Sequence, residues 1–424
     1  MAQGATAMTL AIHGGPPACT GPPPRWPEWG EPERAALERV LETGNWGGFP
    51  SPNEQARAFS DEFAQYLGAV HVVTCTNGTD AIELALQAAR VSPGAEVITT
   101  AYSFVATAAA IAQSGCIPVP VDIQPDTYCI DPDLTEAAIT DRTEAIVVVH
   151  LGCAMADLDR FRELADRRGL LLIEDCAHAP GARWRGRAAG TWGDLGTFSM
   201  QSSKLLTAGE GGAITTGEAM TAERLQSLVN CGRREPGYQS FPERMLGHNR
   251  RITEWQAALL REQLRRLPEQ HARRARNFAR FEAGLVELDG LQQLGHDDRT
   301  TTQTHYQVVV RYDASAFEGV VRDHAVLALQ AEGVRCSGRF YLPIGEDPLF
   351  ALDPATNPLA RERFTWRKTD FPVTRRAAYD EAIWLPHELF LGTECEVDEI
   401  LDAFFKLHAG AAALRDKAPE VDAT

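Results

Sequence analysis

Residues 145–178 read AIVVVHLGCAMADLDRFRELADRRGLLLIEDCAH. The run Ile146-Val147-Val148-Val149 shows no alternation of polar and apolar side chains, which suits a strand buried on both faces. The spacing predicts a helix over 157–168 and a second apolar strand over 170–174. A strand, a helix and a strand in so short a stretch call for a right-handed crossover between parallel strands. The alternation continues upstream, with helices over 53–67, 79–90 and 104–113 and strands over 71–75, 96–100 and 117–122. Downstream, strands are expected over 195–200 and 212–216. This pattern predicts an α/β fold whose mainly parallel sheet is covered on both faces.

The flanks differ in texture. The first 30 residues are rich in Pro and Gly and read as an extended arm rather than a packed element. A helix is expected from about 31 to 42. A long helical stretch over 254–285 is expected to break at Pro268, and its Arg-rich second half, 273–280, reads as a solvated face. A smaller α/β unit follows, with a strand over 305–312 and a helix over 319–332. These boundaries predict an arm (1–30), a large domain (31–275), a small C-terminal domain (276–409) and a disordered tail (410–424).

The chain has 424 residues and a formal net charge of −17, which argues against sequence-independent binding to nucleic acid. The longest nearly apolar run, 104–112, is far shorter than the ~20 residues a membrane helix needs. The nine cysteines are scattered, with no Cys-x-x-Cys, so no disulfide framework or structural zinc site is expected, and a reducing cytoplasm fits best. Only four of the 41 basic residues are lysines: Lys204, Lys368, Lys406 and Lys417. A lysine kept amid such a bias can serve chemistry that a guanidinium cannot, because only the amine becomes a nucleophile. Lys406 and Lys417, near the tail, read as chance survivors.

Three segments carry chemistry. In Thr74-Cys75-Thr76-Asn77-Gly78-Thr79-Asp80-Ala81 a strand ends, a Gly turn follows and a helix begins, so Gly78, Thr79 and Asp80 form a phosphate cradle or a plain capped helix start. In Ile173-Glu174-Asp175-Cys176-Ala177-His178, Asp175 stands at the C-terminal end of a buried strand, where open α/β sheets hold their ligands. A carboxylate there needs a cation or strong donor, such as a pyridinium N–H, with His178 facing the same space. In Phe198-Ser199-Met200-Gln201-Ser202-Ser203-Lys204-Leu205-Leu206, a lysine sits among small and apolar residues, with Ser199 and Ser202 as phosphate donors. An anion turn, an acid for a ring nitrogen and an imine-forming lysine point to pyridoxal phosphate. The P-loop, zincin, dinucleotide-binding and EF-hand signatures are absent.

From about Trp29 to Leu407 the sequence resembles the DegT/DnrJ/EryC1/StrS family of sugar and cyclitol aminotransferases. The resemblance rests on Thr76-Asn77-Gly78-Thr79, Glu174-Asp175-Cys176-Ala177-His178, Lys204 with Thr207-Ala208-Gly209-Glu210-Gly211-Gly212, and Gly247-His248-Asn249-Arg250-Arg251-Ile252-Thr253-Glu254. It implies the fold of the type I pyridoxal phosphate transferases, with a mostly parallel seven-stranded sheet in the large domain and a smaller C-terminal α/β domain. It assigns Lys204 as the covalent attachment point and proton shuttle, Asp175 to the ring nitrogen, and His178 to the ring oxygen. Phe104 would stack on the ring, and Gly78, Thr79, Asp80 and Ser199 would hold the phosphate. Asn249 would reach the phosphate of a neighbouring subunit, making a homodimer the minimal active form.

Gly14-Gly15-Pro16-Pro17, Phe340-Tyr341-Leu342-Pro343 and Trp384-Leu385-Pro386-His387 are similar to the branch that aminates scyllo-inosose or 2-deoxy-scyllo-inosose in aminoglycoside pathways, with glutamine or glutamate as donor. Two other branches remain open: aromatising enzymes of the 3-amino-5-hydroxybenzoate synthase kind, and nucleotide-keto-sugar aminotransferases. A protein that binds the cofactor without turnover is the rival outside enzymology. Tyr102, Arg335, Tyr341 and His387 are the candidate substrate contacts. No metal is expected.

Overall fold

In the computed structural model, which describes residues 9–234, 244–295, 297–350, 355 and 371–417, the elements run along the chain as follows. Helices α1 (Glu31–Thr43) and α2 (Glu54–Leu67) precede β1 (His71–Cys75), α3 (Gly78–Ala88), β2 (Glu96–Thr100), α4 (Ala106–Gln113) and β3 (Ile117–Val121). Then come α5 (Pro132–Ala138), β4 (Thr143–Val149), α6 (Leu158–Arg168), β5 (Leu171–Asp175), the short β6 (Arg183–Trp184) and β7 (Arg187–Ala188), β8 (Leu195–Ser199) and β9 (Gly212–Thr216). Helices α7 (Ala219–Val229) and α8 (Glu254–Leu285) lead to β10 (Leu291–Gln293), β11 (Thr300–Thr302), β12 (Gln307–Tyr312), α9 (Arg322–Ala331), α10 (Pro372–Arg376), β13 (Ala382–Pro386), α11 (Glu394–Ala409) and α12 (Ala411–Asp416).

The main sheet has seven strands in the order β1-β9-β8-β5-β4-β2-β3. Strands β3, β2, β4, β5 and β8 pair in parallel, and β9 runs antiparallel to both β8 and β1. The centre of β4 is buried on both faces. Ile146 and Val148 pack with Phe59, Phe63 and Phe161 on one side, and Ala145 and Val147 pack with Leu84 and Ile111 on the other. The unbroken apolar run in the sequence has this cause, since neither face of the strand meets water.

A second, antiparallel sheet, β10-β12-β13, is packed by α9, α11 and α12 around Val308, Val310, Phe281 and Phe404. Helix α8 serves both cores, and the expected boundary between 275 and 276 falls within it. The break expected at Pro268 does not occur, and the helix continues through it for 32 residues. Proline costs about 3 kcal/mol in a helix interior, and the buried Leu260, Leu264, Leu267, Phe278 and Phe281 along the same helix outweigh it. Sequence reading also did not place β10, β13, α7 or α11.

Two terminal expectations need correcting. The part of the tail described, 410–417, contains a helix rather than disorder, because Ala411 and Leu414 enter the small core; residues 418–424 lie outside the described residues. The described part of the arm, 9–30, is packed rather than free. Leu10 is buried in the small core. The Glu332 carboxylate accepts the N–H groups of Ala11 (2.7 Å) and Ala18 (3.0 Å). Lys406 closes the cluster by donating to Glu332 and to the Pro16 carbonyl. Among the described residues no helix is long and apolar enough to cross a membrane.

Glu332→Ala leaves the Lys406 ammonium buried without a counter-charge, so it should destabilise the small domain by about 3–5 kcal/mol and free the arm. Urea unfolding and limited proteolysis test this: an unchanged midpoint with no faster cleavage within 9–24 would contradict it.

Candidate active site

A cavity of about 1020 Å³ opens beside the C-terminal ends of the parallel strands, where β1, β5 and β8 run into their turns. Gly78, Phe104, Asp175, His178, Ser199 and Lys204 all line it, so residues far apart in sequence converge as expected.

The anion end forms where β1 turns into α3. Asn77 caps the helix, its side-chain oxygen accepting the Asp80 N–H at 2.8 Å. Gly78 and Thr79 thus line the cavity with first-turn N–H groups that no helical carbonyl reaches. Position 78 needs glycine for space, because a Cβ there would meet the Ser199 Cβ at 2.6 Å. Ser199 supplies a hydroxyl across this narrow gap.

Asp80 departs from expectation. Its N–H is used by the cap, and its carboxylate accepts from Thr76 and Asn77 and faces Arg250 at 3.4 Å. It braces the cradle and offers no donor to a phosphate. Ser202 also departs, lying exposed while Ser203 lines the cavity in its place.

Asp175 ends β5. One carboxylate oxygen accepts the Thr107 hydroxyl at 2.9 Å and the other the Ala177 N–H at 3.1 Å. Burial pushes this carboxyl above the usual carboxylate range. Its two bonding partners are neutral, so a cationic N–H entering the cavity would find a desolvated acceptor already aimed.

His178 has an assignable tautomer. Its Nδ1 accepts the Gly152 N–H at 3.1 Å, so Nε2 carries the hydrogen and donates it to the Tyr341 hydroxyl oxygen at 3.1 Å. Burial holds the imidazole well below its ordinary pKa and the Tyr341 phenol well above its own, so both are neutral. Tyr341 therefore keeps a hydroxyl hydrogen to offer at the cavity wall.

Lys204 is buried, with its Nζ 4.3 Å from the centroid of the Tyr306 ring. Among the described residues no carboxylate lies within ion-pair distance of it. An unpaired amine over an aromatic face, a desolvated acid without a cation, and a cradle that a Cβ would fill together fit pyridoxal phosphate. Phe104, half exposed at 54% in the loop before α4, offers a ring for its face.

Three expected substrate contacts are elsewhere. Tyr102 is fully buried among Tyr128, Tyr341 and Trp384, and Ser103 and Phe104 take the cavity wall instead. Arg335 belongs to the small-domain surface, pairing with Glu388 at 2.9 Å beside a separate cavity of about 440 Å³. His387 is buried behind the lysine turn, its Nδ1 3.0 Å from Arg274 and its Nε2 3.0 Å from the Ser203 carbonyl. Tyr341 alone of the four lines the cavity. Asn249 is exposed, bridged to Asn230, and is not part of its own chain's cavity wall.

Sequence reasoning missed Thr107 and Tyr306. Thr107 follows Phe104 by three residues at the start of α4, a spacing that could have marked it; Tyr306 is a lone aromatic before β12 with no motif around it. Next to Asp175, the buried Glu174 accepts the N–H groups of Gly190, Trp192 and Gly193 and faces His150 at 3.1 Å. With that many donors it anchors the end of β5.

Comparison with known proteins agrees with this geometry. The model of the DegT/DnrJ/EryC1/StrS aminotransferase family matches residues 27–405. A putative L-glutamine:3-amino-2,3-dideoxy-scyllo-inosose aminotransferase of Streptoalloteichus tenebrarius is 47% identical over 412 residues, covering 96% of this chain and 99% of the relative. An L-glutamine:2-deoxy-scyllo-inosose aminotransferase of the same organism is 41% identical, covering 94% and 97%. The solved structure of 3-amino-5-hydroxybenzoic acid synthase superposes with a TM-score of 0.79 at 33% identity, over 92% of this chain and 99% of that one.

Gly78→Ala would force the start of α3 away from Ser199 and spoil the cradle. Affinity for pyridoxal phosphate, measured by fluorescence titration of the apoprotein, should fall by about tenfold or more, the loss of one hydrogen bond to a charged group. Unchanged affinity would exclude this turn as the anion site.

Proposed function

The chain belongs to the DegT/DnrJ/EryC1/StrS aminotransferase family, and on that premise we propose that it transfers the amino group of glutamine to the carbonyl carbon of a cyclic polyol ketone of the inosose type. It is a pyridoxal phosphate-dependent aminotransferase of α/β fold. The acceptor reading rests on the relative named for 3-amino-2,3-dideoxy-scyllo-inosose, 47% identical over nearly the whole of both chains. That amino-bearing ring is the first acceptor to try, before the unsubstituted inososes.

Bound in the cavity, pyridoxal phosphate supplies an aldehyde carbon and an electron-accepting ring. The protein's own groups do the rest. Gly78 and Thr79 would hold the phosphate with N–H groups at a helix start, aided by the Ser199 hydroxyl. Phe104 would cover one ring face. Asp175, oriented by Thr107 and Ala177, would keep a proton on the ring nitrogen. The neutral His178–Tyr341 pair would donate to the ring oxygen or to the acceptor. Lys204 would bind the aldehyde in the resting enzyme. Once displaced by the amino donor, its amine would take the donor's α-proton and later return one to the new amine-bearing carbon, a role worth roughly 10²–10⁴ in rate.

A homodimer with shared sites extends this reading. Exposed Trp46, Phe49 and Leu246, the last 97% accessible, offer apolar surface for a second copy. From that interface Asn249 would reach the partner's phosphate. The cysteines, none of them in a disulfide, fit a reducing, cytoplasmic setting.

Glutamine should convert the cofactor to its pyridoxamine form, and a cyclitol ketone should convert it back. Reconversion by nucleotide keto-sugars alone, or aromatisation of an aminocyclohexenone acid, would favour one of the other branches. Lys204→Ala should lose turnover by at least about 10²-fold and leave no borohydride-reduced adduct, while still binding cofactor reversibly. Full activity in that variant would overturn the reading.

A further inference from the structure

The lysine turn, Gln201-Ser202-Ser203-Lys204, is polar with both serines exposed, and it closes on itself through the Lys204 N–H to the Gln201 carbonyl at 2.9 Å and the Ser203 N–H to the Gln201 side-chain oxygen at 2.8 Å. Its carbonyls are nevertheless held by donors from distant parts of the chain. The Trp26 indole N–H donates to the Ser202 carbonyl at 2.9 Å. The His387 Nε2 lies 3.0 Å from the Ser203 carbonyl. The Tyr306 hydroxyl meets the Ser203 hydroxyl at 2.8 Å.

The direction of the His387 bond follows from its other side. Its Nδ1 faces an Arg274 nitrogen at 3.0 Å, and a guanidinium can only donate. Nδ1 therefore accepts, and Nε2 keeps the hydrogen that it gives to Ser203. Arg274 is fully buried, and among the described residues its Nε and Nη1 have no hydrogen-bond partner. Its guanidinium stands 5.2 Å from the centroid of the Trp26 ring, which in turn meets the His387 ring edge-on at 4.5 Å. Burial pulls Arg274 down to about 9, so at neutral pH it remains charged. A buried charge with unspent donors is costly to keep, and among the described residues its one hydrogen-bonding side-chain partner is the histidine whose tautomer it sets.

We propose that Trp26, His387 and Arg274 form a clamp that positions the Lys204 amine by fixing the two carbonyls before it. None of the three lines the cavity, so they act through the turn and are positioning residues. The clamp joins three parts of the chain, since Trp26 comes from the arm, Arg274 from α8 and His387 from the turn just after β13. The inference rests on the reading of Lys204 as the reactive amine, and the experiment separates the two.

Trp26→Phe keeps a ring on His387 and Arg274 but removes the N–H. His387→Leu removes the donor to Ser203, and His387→Gln puts an amide N–H back at about the reach of Nε2. Each purified apoprotein is mixed with pyridoxal phosphate, and the growth of the long-wavelength band reports covalent capture. The glutamine half-reaction is then followed in single turnover. Capture and half-reaction rates should fall about tenfold in Trp26→Phe and in His387→Leu, the equivalent of one hydrogen bond. Half-saturation by glutamine should stay near wild type in both variants and the melting temperature near wild type in Trp26→Phe, and His387→Gln should recover the rates to within about threefold. If His387→Leu fails to fold, Trp26→Phe decides alone. Wild-type capture and half-reaction rates in Trp26→Phe would overturn the clamp while leaving the catalytic lysine intact. A wild-type protein that yields no borohydride adduct at Lys204 would overturn both.

Discussion

An acid and an amine that share one cavity attract each other, and the site depends on keeping Asp175 and Lys204 from spending themselves on each other. Lys204 draws the Asp175 carboxyl towards its charged form, yet no ion pair forms between them. The carboxylate is tied instead to the Thr107 hydroxyl and the Ala177 N–H. The ammonium rests on the Tyr306 face, where the attraction is worth only about 0.5–2 kcal/mol. Each group is thus held by partners weak enough to leave it available, and on the function proposed above the acid would meet a ring nitrogen and the amine an aldehyde.

The sheet makes this separation by its period of two. Glu174 and Asp175 are neighbours in β5, so their side chains leave opposite faces. Glu174 turns away from the cavity to the N–H groups of Gly190, Trp192 and Gly193 and to His150. That anchorage fixes the last residues of a strand whose other side carries the functional acid. A slip of one residue would exchange the two carboxylates, placing one already filled with donors where an empty one is needed.

What was legible in the sequence follows the range of the forces involved. Strands β1, β2 and β9 run over the residues expected, 71–75, 96–100 and 212–216, because apolar runs between turn residues are local signals. The convergence of Lys204, Asp175, His178 and Gly78 on one cavity was equally legible, each standing at or shortly after the end of a strand. The roles of Tyr102, Arg335 and His387 were not, because the direction of a side chain at a loop or strand end is settled by packing against distant elements. Tyr102 lost its place on the cavity wall to an aromatic cluster formed with Tyr128 and Trp384. Tyr306 matters only through what it touches, and its contact with Ser203, 103 residues away in the chain, leaves no mark in either neighbourhood.

The scarcity of lysine proved more informative than its local context. Lys406, read as a chance survivor near the tail, is buried and donates to both Glu332 and the Pro16 carbonyl. A compact ammonium with three rotatable hydrogens suits acceptors converging from different directions, which the planar fork of an arginine would not satisfy. Two of the lysines retained against the arginine bias therefore stand in buried positions whose chemistry calls for an amine. They also stand at opposite ends of one segment, since Lys406 secures the arm near Pro16 and Trp26 meets the turn of Lys204 ten residues later. An arm that appears in sequence as a loose Pro-rich leader is held at one end by a buried ion pair and at the other against the turn that carries Lys204. Its proline content then has a mechanical reading, because a stiff segment transmits position between its anchors better than a flexible one.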